Sequence, residues 1–350
     1  MKISIRRPVG YSQIGRKDQQ EDAVWPLFPD VSTSSPCIVL CDGVGGSQHG
    51  EVASQTSSKV IGEYLTRVIN TNHAVGEADI HDAVSLAYDE LEKIDIEGTE
   101  DGVVSMATTL ACICLHKDGI LAAHMGDSRI YLIRPGQGLL YQSADHSLLN
   151  ALLNAGELTI EEAQNFPRKN VITKAIQPHA EKRFKAEVHL LTDIQSGDYI
   201  FLCCDGVLEQ LTNERLVEIL SMDCSDKEKV SLLEAESTER TKDNYSAYLV
   251  PIDKVKGASS FEHNDEVKSV VVETAKPSSL QKTNGKQGTK RLHQSAMSKP
   301  NKMKNKKSPL IILALLLLSG IVFFMGRCSS NDSEKSTVDD MYMEDVEESK

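Results

Sequence analysis

The feature that most restricts the fold is a set of apolar runs that each end in aspartate followed by a small residue. They are CIVLCDG, AAHMGDS and YIFLCCDG, which contain Asp42, Asp127 and Asp205. The runs are apolar at successive positions, as in strands that are covered on both faces. A fourth acidic residue, Asp243, lies just before the apolar run SAYLVPI (246–252). Because strand ends are rigid, we expect these carboxylates to have fixed directions.

Helical patterns separate the strand-like runs. Residues 50–69 and 79–94 each place apolar side chains on one stripe at helical spacing, and residues 212–220 begin at a capping residue, Thr212. Several strand-like runs follow one another directly, for example 108–116, 119–126 and 129–134. This order differs from a repeating βαβ pattern, so it predicts an α+β layered sandwich.

The charge of the chain argues against one class of partner. Its 350 residues include 51 acidic and 38 basic side chains, which gives a net charge of −13. Nucleic-acid binding relies on basic surface, so nucleic acid is not expected as the main partner. Most of the eight cysteines lie inside apolar runs without zinc-finger spacing, which indicates buried thiols in a reducing compartment.

Composition divides the chain into four parts. Residues 1–253 form the predicted globular domain, and residues 254–308 are polar and rich in lysine, which predicts a disordered basic linker. Residues 309–326 are uncharged and apolar, the pattern of a single transmembrane helix. Residues 327–350 form a short, mainly acidic tail.

The charges around the apolar run predict its orientation. Five lysines between Lys299 and Lys307 precede the run, and positive residues tend to stay in the cytoplasm. The N-terminus lacks the apolar stretch of a secretory signal. We therefore predict a cytoplasmic domain anchored in the cytoplasmic (inner) membrane by one helix, with an extracytoplasmic tail.

The carboxylates at the strand ends predict a metal site. Carboxylates that point toward one place repel one another unless a cation neutralises them, and oxygen ligands favour hard ions such as Mg²⁺ or Mn²⁺. The sequence contains neither a GxxxxGK[ST] nor a GxGxxG phosphate loop. A single Asp-Gly pair is typical of an ordinary turn, so the prediction depends on the number and order of these motifs.

The globular part resembles the type 2C (PPM) family of metal-dependent protein serine/threonine phosphatases, in its bacterial form. The resemblance rests on motifs that follow the family's order across residues 9–252. They are GRKDQQEDA (15–23), DGVGGSQHGEVAS (42–54), ATTL (107–110), GDSRIYLI (126–133), ADHSLLNALLNAGELT (144–159), RKNVITKAI (168–176), DYIFLCCDGV (198–207) and KDNYSAYLV (242–250). The resemblance implies a four-layer α-β-β-α sandwich of two antiparallel sheets flanked by helices.

The resemblance also implies roles for the acidic residues. Asp42 would bridge two Mn²⁺ or Mg²⁺ ions, and Gly43 would offer its backbone carbonyl. Asp205 and Asp243 would hold the first ion. The residues expected near the second ion, acting through bound water, are Glu21 and Asp22.

Further expectations from the resemblance concern a third ion, access and chemistry. Asp127 would join Asp205 at a weaker third position, and residues 145–176 would form a flap beside the site. A water activated by the two ions would attack the phosphorus of phosphoserine or phosphothreonine in a protein substrate, while a basic side chain neutralises the phosphoryl oxygens. No cysteine would act as nucleophile.

The chain departs from the family pattern at three places, one of which is Gln20, where the family usually has an asparagine. The basic residue that binds phosphate is usually an arginine four residues before the glutamate of the first motif, where this chain has Lys17 with Arg16 beside it. A lysine binds phosphate as a point charge and cannot contact two oxygens in a fixed fork. Val44 occupies the position of a histidine in eukaryotic members, and His49 is the nearest histidine in the sequence.

Two alternatives remain open at the level of sequence. A phosphoprotein-binding module with weak catalysis would lack manganese-dependent hydrolysis of p-nitrophenyl phosphate. A membrane-anchored regulator would use the acidic tail, residues 327–350, to bind an external partner. A membrane serine/threonine kinase is a further expected partner in signal transduction, because a shared substrate would place both enzymes at one surface.

Overall fold

The computed structural model describes residues 2–45, 47–72, 74–94, 105–163, 166–168, 171–238 and 240–257. The strands in these ranges are β1 (Lys2–Ile5), β2 (Val9–Gln13), β3 (Asp22–Trp25), β4 (Cys37–Asp42), β5 (Leu110–His116), β6 (Gly119–Met125), β7 (Arg129–Arg134), β8 (Gly138–Gln142), β9 (Glu187–Leu191), β10 (Tyr199–Cys203) and β11 (Tyr245–Lys256). The helices are α1 (Gly50–Asn72), α2 (Glu77–Leu91), α3 (Leu148–Asn154), α4 (Ile160–Ala163), α5 (Asp205–Leu208), α6 (Asn213–Ser221) and α7 (Asp226–Ser237).

The strands form two antiparallel sheets. One sheet has the order β1-β11-β10-β7-β8, with β2 also paired to β11, and the other has the order β3-β4-β5-β6-β9. The first half of β11 pairs with β2 and its second half pairs with β1, while β10 lies along its other edge. β11, the last strand within the described ranges, is therefore the one that joins the first two strands to the sheet.

The side chains of β4 show how the layers are arranged. Ile38 and Leu40 belong to the core that includes both sheets, whereas Cys37, Val39 and Cys41 belong to the core against α1 and α2. Successive side chains of a strand point to opposite faces, so a run that is apolar at every position can serve both cores. This explains why the strand-like runs lack polar alternation.

Helices cover the outer face of each sheet. On one side, α6 and α7 contribute Leu216, Ile219 and Leu233 to the core of the first sheet. The Thr212 hydroxyl accepts a hydrogen bond from the Arg215 N–H at 3.2 Å and caps α6, as the sequence predicted. Together with α1 and α2 on the other side, these helices complete four layers.

The predicted α+β sandwich with two antiparallel sheets and flanking helices is confirmed. β4 and β7 occupy the predicted ranges 37–42 and 129–134. The sequence patterns did not predict β1, β2, β3, β8 or β9, which are short and mix polar with apolar side chains. β11 passes the predicted domain boundary at residue 253, because it stays paired with β1 as far as Lys256.

The membrane prediction concerns another part of the chain. None of the helices within the described ranges combines the length and the apolar character that crossing a bilayer requires. The predicted span (309–326), its basic linker (254–308, apart from its first residues) and the acidic tail (327–350) lie outside the described residues.

Candidate metal centre and active site

Asp42 ends β4, and two threonines before β5 fix its backbone. The Asp42 N–H donates to Thr109 Oγ1 at 3.0 Å, and its carbonyl accepts from the Thr109 N–H at 2.8 Å. The Thr108 hydroxyl donates to the same carbonyl at 2.9 Å. Thr109 Oγ1 also lies 2.7 Å from Ser128 Oγ, next to Asp127 in sequence. These bonds fix the Asp42 backbone at the end of β4 and connect it to the Asp127 loop.

Asp22 lies directly opposite Asp42, because the two residues are paired in the register of β3 and β4. The Asp22 side chain is buried, with 5 % exposure. Its Oδ2 accepts a hydrogen bond from Cys204 Sγ at 3.3 Å, and its Oδ1 has no hydrogen-bond partner among the described residues. Cys204, which the sequence indicated as a packing residue, thus also orients a carboxylate.

Asp205 and Asp243 are brought together by close approach of their backbones. Asp205 follows β10 and begins α5, and Asp243 lies just before β11. A methyl group on Gly206 would overlap the carbonyl of Asn244, and one on Gly15 would overlap the carbonyl of Asp243. Gly15 also has φ of +63°, in the left-handed region that favours glycine. Two glycines therefore allow the Asp243 segment to lie between the Asp205 turn and the loop after β2.

Asn244 holds the loop that carries Glu21. Its Oδ1 accepts from the Glu21 N–H at 2.8 Å, and its Nδ2 donates to the carbonyls of Ile14 at 2.8 Å and Gln19 at 3.0 Å. The Asn244 side chain is 2 % exposed. The Glu21 carbonyl in turn accepts from the Gly43 N–H at 3.0 Å. Asn244 therefore links loop 14–21 to the end of β4.

The structure separates the two candidate phosphate-binding residues. Lys17 Nζ lies 2.9 Å from Asp243 Oδ1 and 3.8 Å from Glu21 Oε2, so Lys17 belongs to the acidic site. Arg16 lines a different depression, together with Gln13, Thr241 and Tyr245. Neighbouring loop residues point in different directions here, and Lys17 is the one beside the carboxylates.

A cavity of about 170 Å³ lies where these elements meet. It is lined by backbone and side chains of the β4 turn, by the ends of two further strands and by the flap. The lining residues are Asp42, Gly43, Val44, Gly45, Thr109, Asp127, Ile172, Asp205 and Asp243. The four strand-end aspartates of the sequence prediction therefore do face one place.

Burial in the site raises the pKa of several of its carboxyl groups. Burial, followed by repulsion from Asp22 and Asp205, raises the pKa of Asp42 well above its ordinary value. Burial is also the main cause that raises the pKa of Asp22 to about 7, of Asp127 to about 7 and of Asp205 to about 6. Proximity thus makes full ionisation costly without a compensating positive charge.

The residues fit divalent cations. Carboxylate oxygens, together with the nearby backbone of Gly43, provide the oxygen donors that Mg²⁺ and Mn²⁺ prefer. The buried Asp22 Oδ1 lacks a partner, and carboxylate oxygens of Asp22 and Asp42 lie within 4.8 Å of each other and of Cys204 Sγ. Lys17 supplies one positive charge against the carboxylates, so added cations would relieve their repulsion.

Comparison with known proteins agrees with this geometry. The family model for protein phosphatase 2C matches residues 9–235. Protein phosphatase PhpP of Streptococcus pneumoniae is 32 % identical over 236 residues, which cover 67 % of this chain and 89 % of PhpP. The chain belongs to the protein phosphatase 2C family.

Solved structures of the protein phosphatase 2C family share the fold. The serine/threonine phosphatase of S. agalactiae is 27 % identical, with a TM-score of 0.56 over 70 % of this chain and 99 % of that one. The catalytic domain of the serine/threonine protein phosphatase PstP is 23 % identical, with a TM-score of 0.55 over 72 % of this chain and 100 % of that one. That PstP domain was crystallised in complex with 2 manganese ions.

The protein phosphatase 2C flap contacts the site through its end. In the predicted flap (145–176), Ile172 lines the cavity, and Ile176 exchanges backbone hydrogen bonds of 2.9 and 3.0 Å with Thr108. Val44 lines the cavity at the position that holds a histidine in eukaryotic members. His49 is not among the lining residues, and its Nδ1 lies 3.7 Å from Glu51 Oε1.

Sequence reasoning missed the residues that position the ligands. Asn244 and Thr109 stand inside motifs that were recognised, yet no role was predicted for either. In the sequence, each appears only as a polar residue near an acidic strand end, and many ordinary turns contain such residues. Glu51 was missed as well; one of its carboxylate oxygens is buried without a hydrogen-bond partner among the described residues.

Proposed function

We propose that this chain is a metal-dependent phosphoprotein phosphatase that hydrolyses phosphoserine and phosphothreonine. One observation carries the proposal: Asp42, Asp127, Asp205 and Asp243 converge on one cavity in a member of the protein phosphatase 2C family. Relatives named as serine/threonine phosphatases support the substrate class. The arrangement of carboxylates supports Mn²⁺ or Mg²⁺ as cofactor.

The residues that would hold two metal ions are Asp42, Gly43, Asp205 and Asp243, with Glu21 and Asp22 acting nearby and Asp127 at a third position. Divalent ions supply a water of lowered pKa and neutralise charge on phosphoryl oxygens. Thr109 and Asn244 keep the carboxylates and the Glu21 loop in place before substrate arrives. Such preorganisation avoids rearrangement during the reaction.

We propose Lys17 as the residue that binds the phosphoryl group. Its Nζ is 2.9 Å from Asp243 Oδ1, and its side chain keeps 35 % exposure, so it can reach a substrate oxygen at the mouth of the site. During hydrolysis the water oxygen forms the new bond to phosphorus, and the bond from phosphorus to the serine or threonine oxygen breaks. The proton released by the water balances the charge on that leaving oxygen.

A covalent route through cysteine has no support in the described residues. Burial raises the pKa of the thiols of Cys41, Cys203 and Cys204, so each thiol stays protonated. None of the three lines the cavity. Direct attack by water therefore explains the site without a phosphoenzyme.

The test is hydrolysis of p-nitrophenyl phosphate and of a phosphothreonine peptide by the purified full-length protein. We expect activity with Mn²⁺ or Mg²⁺, none with EDTA, and loss of activity by at least about a hundredfold in Asp205→Asn. An active EDTA-treated enzyme would contradict metal dependence. Binding of phosphopeptide without any turnover would favour the phosphoprotein-binding module.

Membrane anchoring is a second part of the proposal, supported by sequence. The apolar run 309–326 and the lysines before it favour one transmembrane helix with the catalytic part in the cytoplasm. A membrane serine/threonine kinase would then share substrates at the same surface. Fractionation of cells tests this: the full-length protein should sediment with membranes, and a variant lacking residues 309–326 should not.

A further inference from the structure

A second, larger cavity adjoins the cavity lined by the four aspartates, which we call the metal cavity. Part of its wall is basic. This flank groove has a volume of about 580 Å³ and shares Asp127, Asp205 and Asp243 with the metal cavity. Its volume lies in the range of sites that bind ligands larger than a phosphate ion. Away from the shared aspartates, its walls include Asn150, Leu208, Gln210, Arg240 and Lys242.

Most charges in the flank groove already have partners. Arg129 Nε and Nη2 each donate to a different oxygen of Asp145 at 2.6 Å, a two-point ion pair. Glu209 Oε2 accepts from the backbone N–H of Lys242 at 3.0 Å. The three shared aspartates face the metal cavity as well, where cations would neutralise them.

Two exposed basic side chains lie on the groove wall. Arg240 and Lys242 are both exposed, and both line the groove on the segment that leads directly into Asp243. The groove gives a substrate chain whose phosphate lies in the metal cavity a path past this segment. Polar groups such as Asn150 and Gln210 can bond a peptide backbone along the way.

We infer that the flank groove binds the substrate chain beside the phosphorylated residue and that Arg240 and Lys242 select an anionic side chain there. The preferred substrates are thus phosphoproteins with an acidic or second phosphorylated residue within a few positions of the one that is cleaved. The inference rests on the proposed phosphatase activity. It extends that activity from a phosphate ester to a particular substrate class.

The size of the effect follows from the exposure of the two cations. Exposed ion pairs are weak and screened by salt, so each should change kcat/KM by about twofold to fivefold. Together they should favour an acidic peptide over a neutral one by about fourfold to twenty-fivefold at low salt. A second phosphate carries more charge than a carboxylate and should give the larger preference.

The experiment compares phosphothreonine peptides that differ at one position. Glutamate, phosphothreonine, glutamine or lysine is placed in turn at each of the three positions before and after the cleaved residue. The measured quantity is the ratio of kcat/KM for each anionic peptide to that of its glutamine counterpart. Full-length wild type, the double variant Arg240→Gln/Lys242→Gln and Lys227→Gln are compared, since Lys227 is an exposed lysine on α7 outside the groove.

We expect the anionic preference in wild type and Lys227→Gln, its loss in the double variant, and its decline when sodium chloride is raised from 50 to about 500 mM. The inference is overturned if wild type shows no preference, or if the double variant keeps it. p-Nitrophenyl phosphate has no flanking chain and is assayed in parallel. If wild type hydrolyses p-nitrophenyl phosphate but does not discriminate between the peptides, only the inference about the flank groove is overturned. If wild type does not hydrolyse p-nitrophenyl phosphate, the proposed function is overturned together with the inference.

Discussion

The buried carboxyl group of Asp22 makes the metal-free protein sensitive to pH. Asp22 is 5 % exposed, and its Oδ1 lacks a hydrogen-bond partner among the described residues. Asparagine has nearly the same shape, can still accept the Cys204 thiol hydrogen bond and carries no charge. We predict that Asp22→Asn stabilises the metal-free protein at pH 8.

The magnitude follows from the proton balance of this group. Burial raises the pKa of Asp22 from 3.8 to about 7, so between those values the folded protein holds a proton that the unfolded chain has lost. The free energy of unfolding therefore falls as pH rises through this window, and the loss is complete above pH 7. Three pKa units correspond to about 4 kcal/mol at about 1.4 kcal/mol each. Because Asp205 and Asp243 share the repulsion with Asp22, we expect Asp22→Asn to raise the free energy of unfolding at pH 8 by about 2 to 4 kcal/mol.

The assay is urea unfolding of the full-length protein with EDTA, at pH 5 and at pH 8. The free energy of unfolding of Asp22→Asn should exceed that of wild type by the full predicted amount at pH 8 and by less than half of that amount at pH 5. Saturating Mn²⁺ should shrink or reverse the difference, because bound cation stabilises the wild-type carboxylates. Asp82→Asn, at an exposed position on α2, is the matched control and should change neither value. Equal gains at both pH values, or a loss at pH 8, would refute the reasoning.

Three further outcomes follow from the site. Asn244→Ala removes three hydrogen bonds from loop 14–21 and should lower the free energy of unfolding by about 2 to 4 kcal/mol in urea titrations at fixed Mn²⁺; a change below about 0.5 kcal/mol would contradict its positioning role. Lys17→Met should raise the KM for p-nitrophenyl phosphate about tenfold, and Arg16→Met should change it less than twofold; the reverse ranking would assign phosphate binding to Arg16. Because the pKa of Asp205 is about 6 and that of Asp127 about 7, protons compete with the cation as pH falls. Calorimetric titration should show Mn²⁺ affinity weakening from pH 8 to pH 5.5 with proton release on binding, and a constant affinity would count against these ligands.

The sequence predicted those parts of the fold and site that have a strong local signal. β4 and β10 were recognisable because burial on both faces requires apolar residues at every position, and their terminal aspartates marked the site. β2 and β3 are short and partly polar, so local pattern could not reveal them. β2 is held by pairing with β11, far along the chain, and β3 by pairing with β4. The same limit applies to Asn244, whose importance lies in partners more than two hundred positions away.

The choice between Arg16 and Lys17 shows a different limit. Both are basic, adjacent and on a loop, so composition and spacing treat them alike. Their separation depends on how the chain turns at Gly15, where the backbone lies against the Asp243 carbonyl. The sequence also could not predict the flank groove, because the groove combines residues from β7, the flap and the turn before β11.

The position of β11 has a consequence for how the protein matures during synthesis. β1 and β2 are made first, yet each pairs with β11, the last strand of the described chain. A ribosome-bound chain that ends before residue 243 lacks Asp243, Asn244 and the partner of both early strands. We expect such a nascent chain to have neither a closed first sheet nor a complete ligand set. Catalytic competence would therefore arise only when the final strand of the domain has been released from the ribosome, so early fragments could not dephosphorylate substrates prematurely.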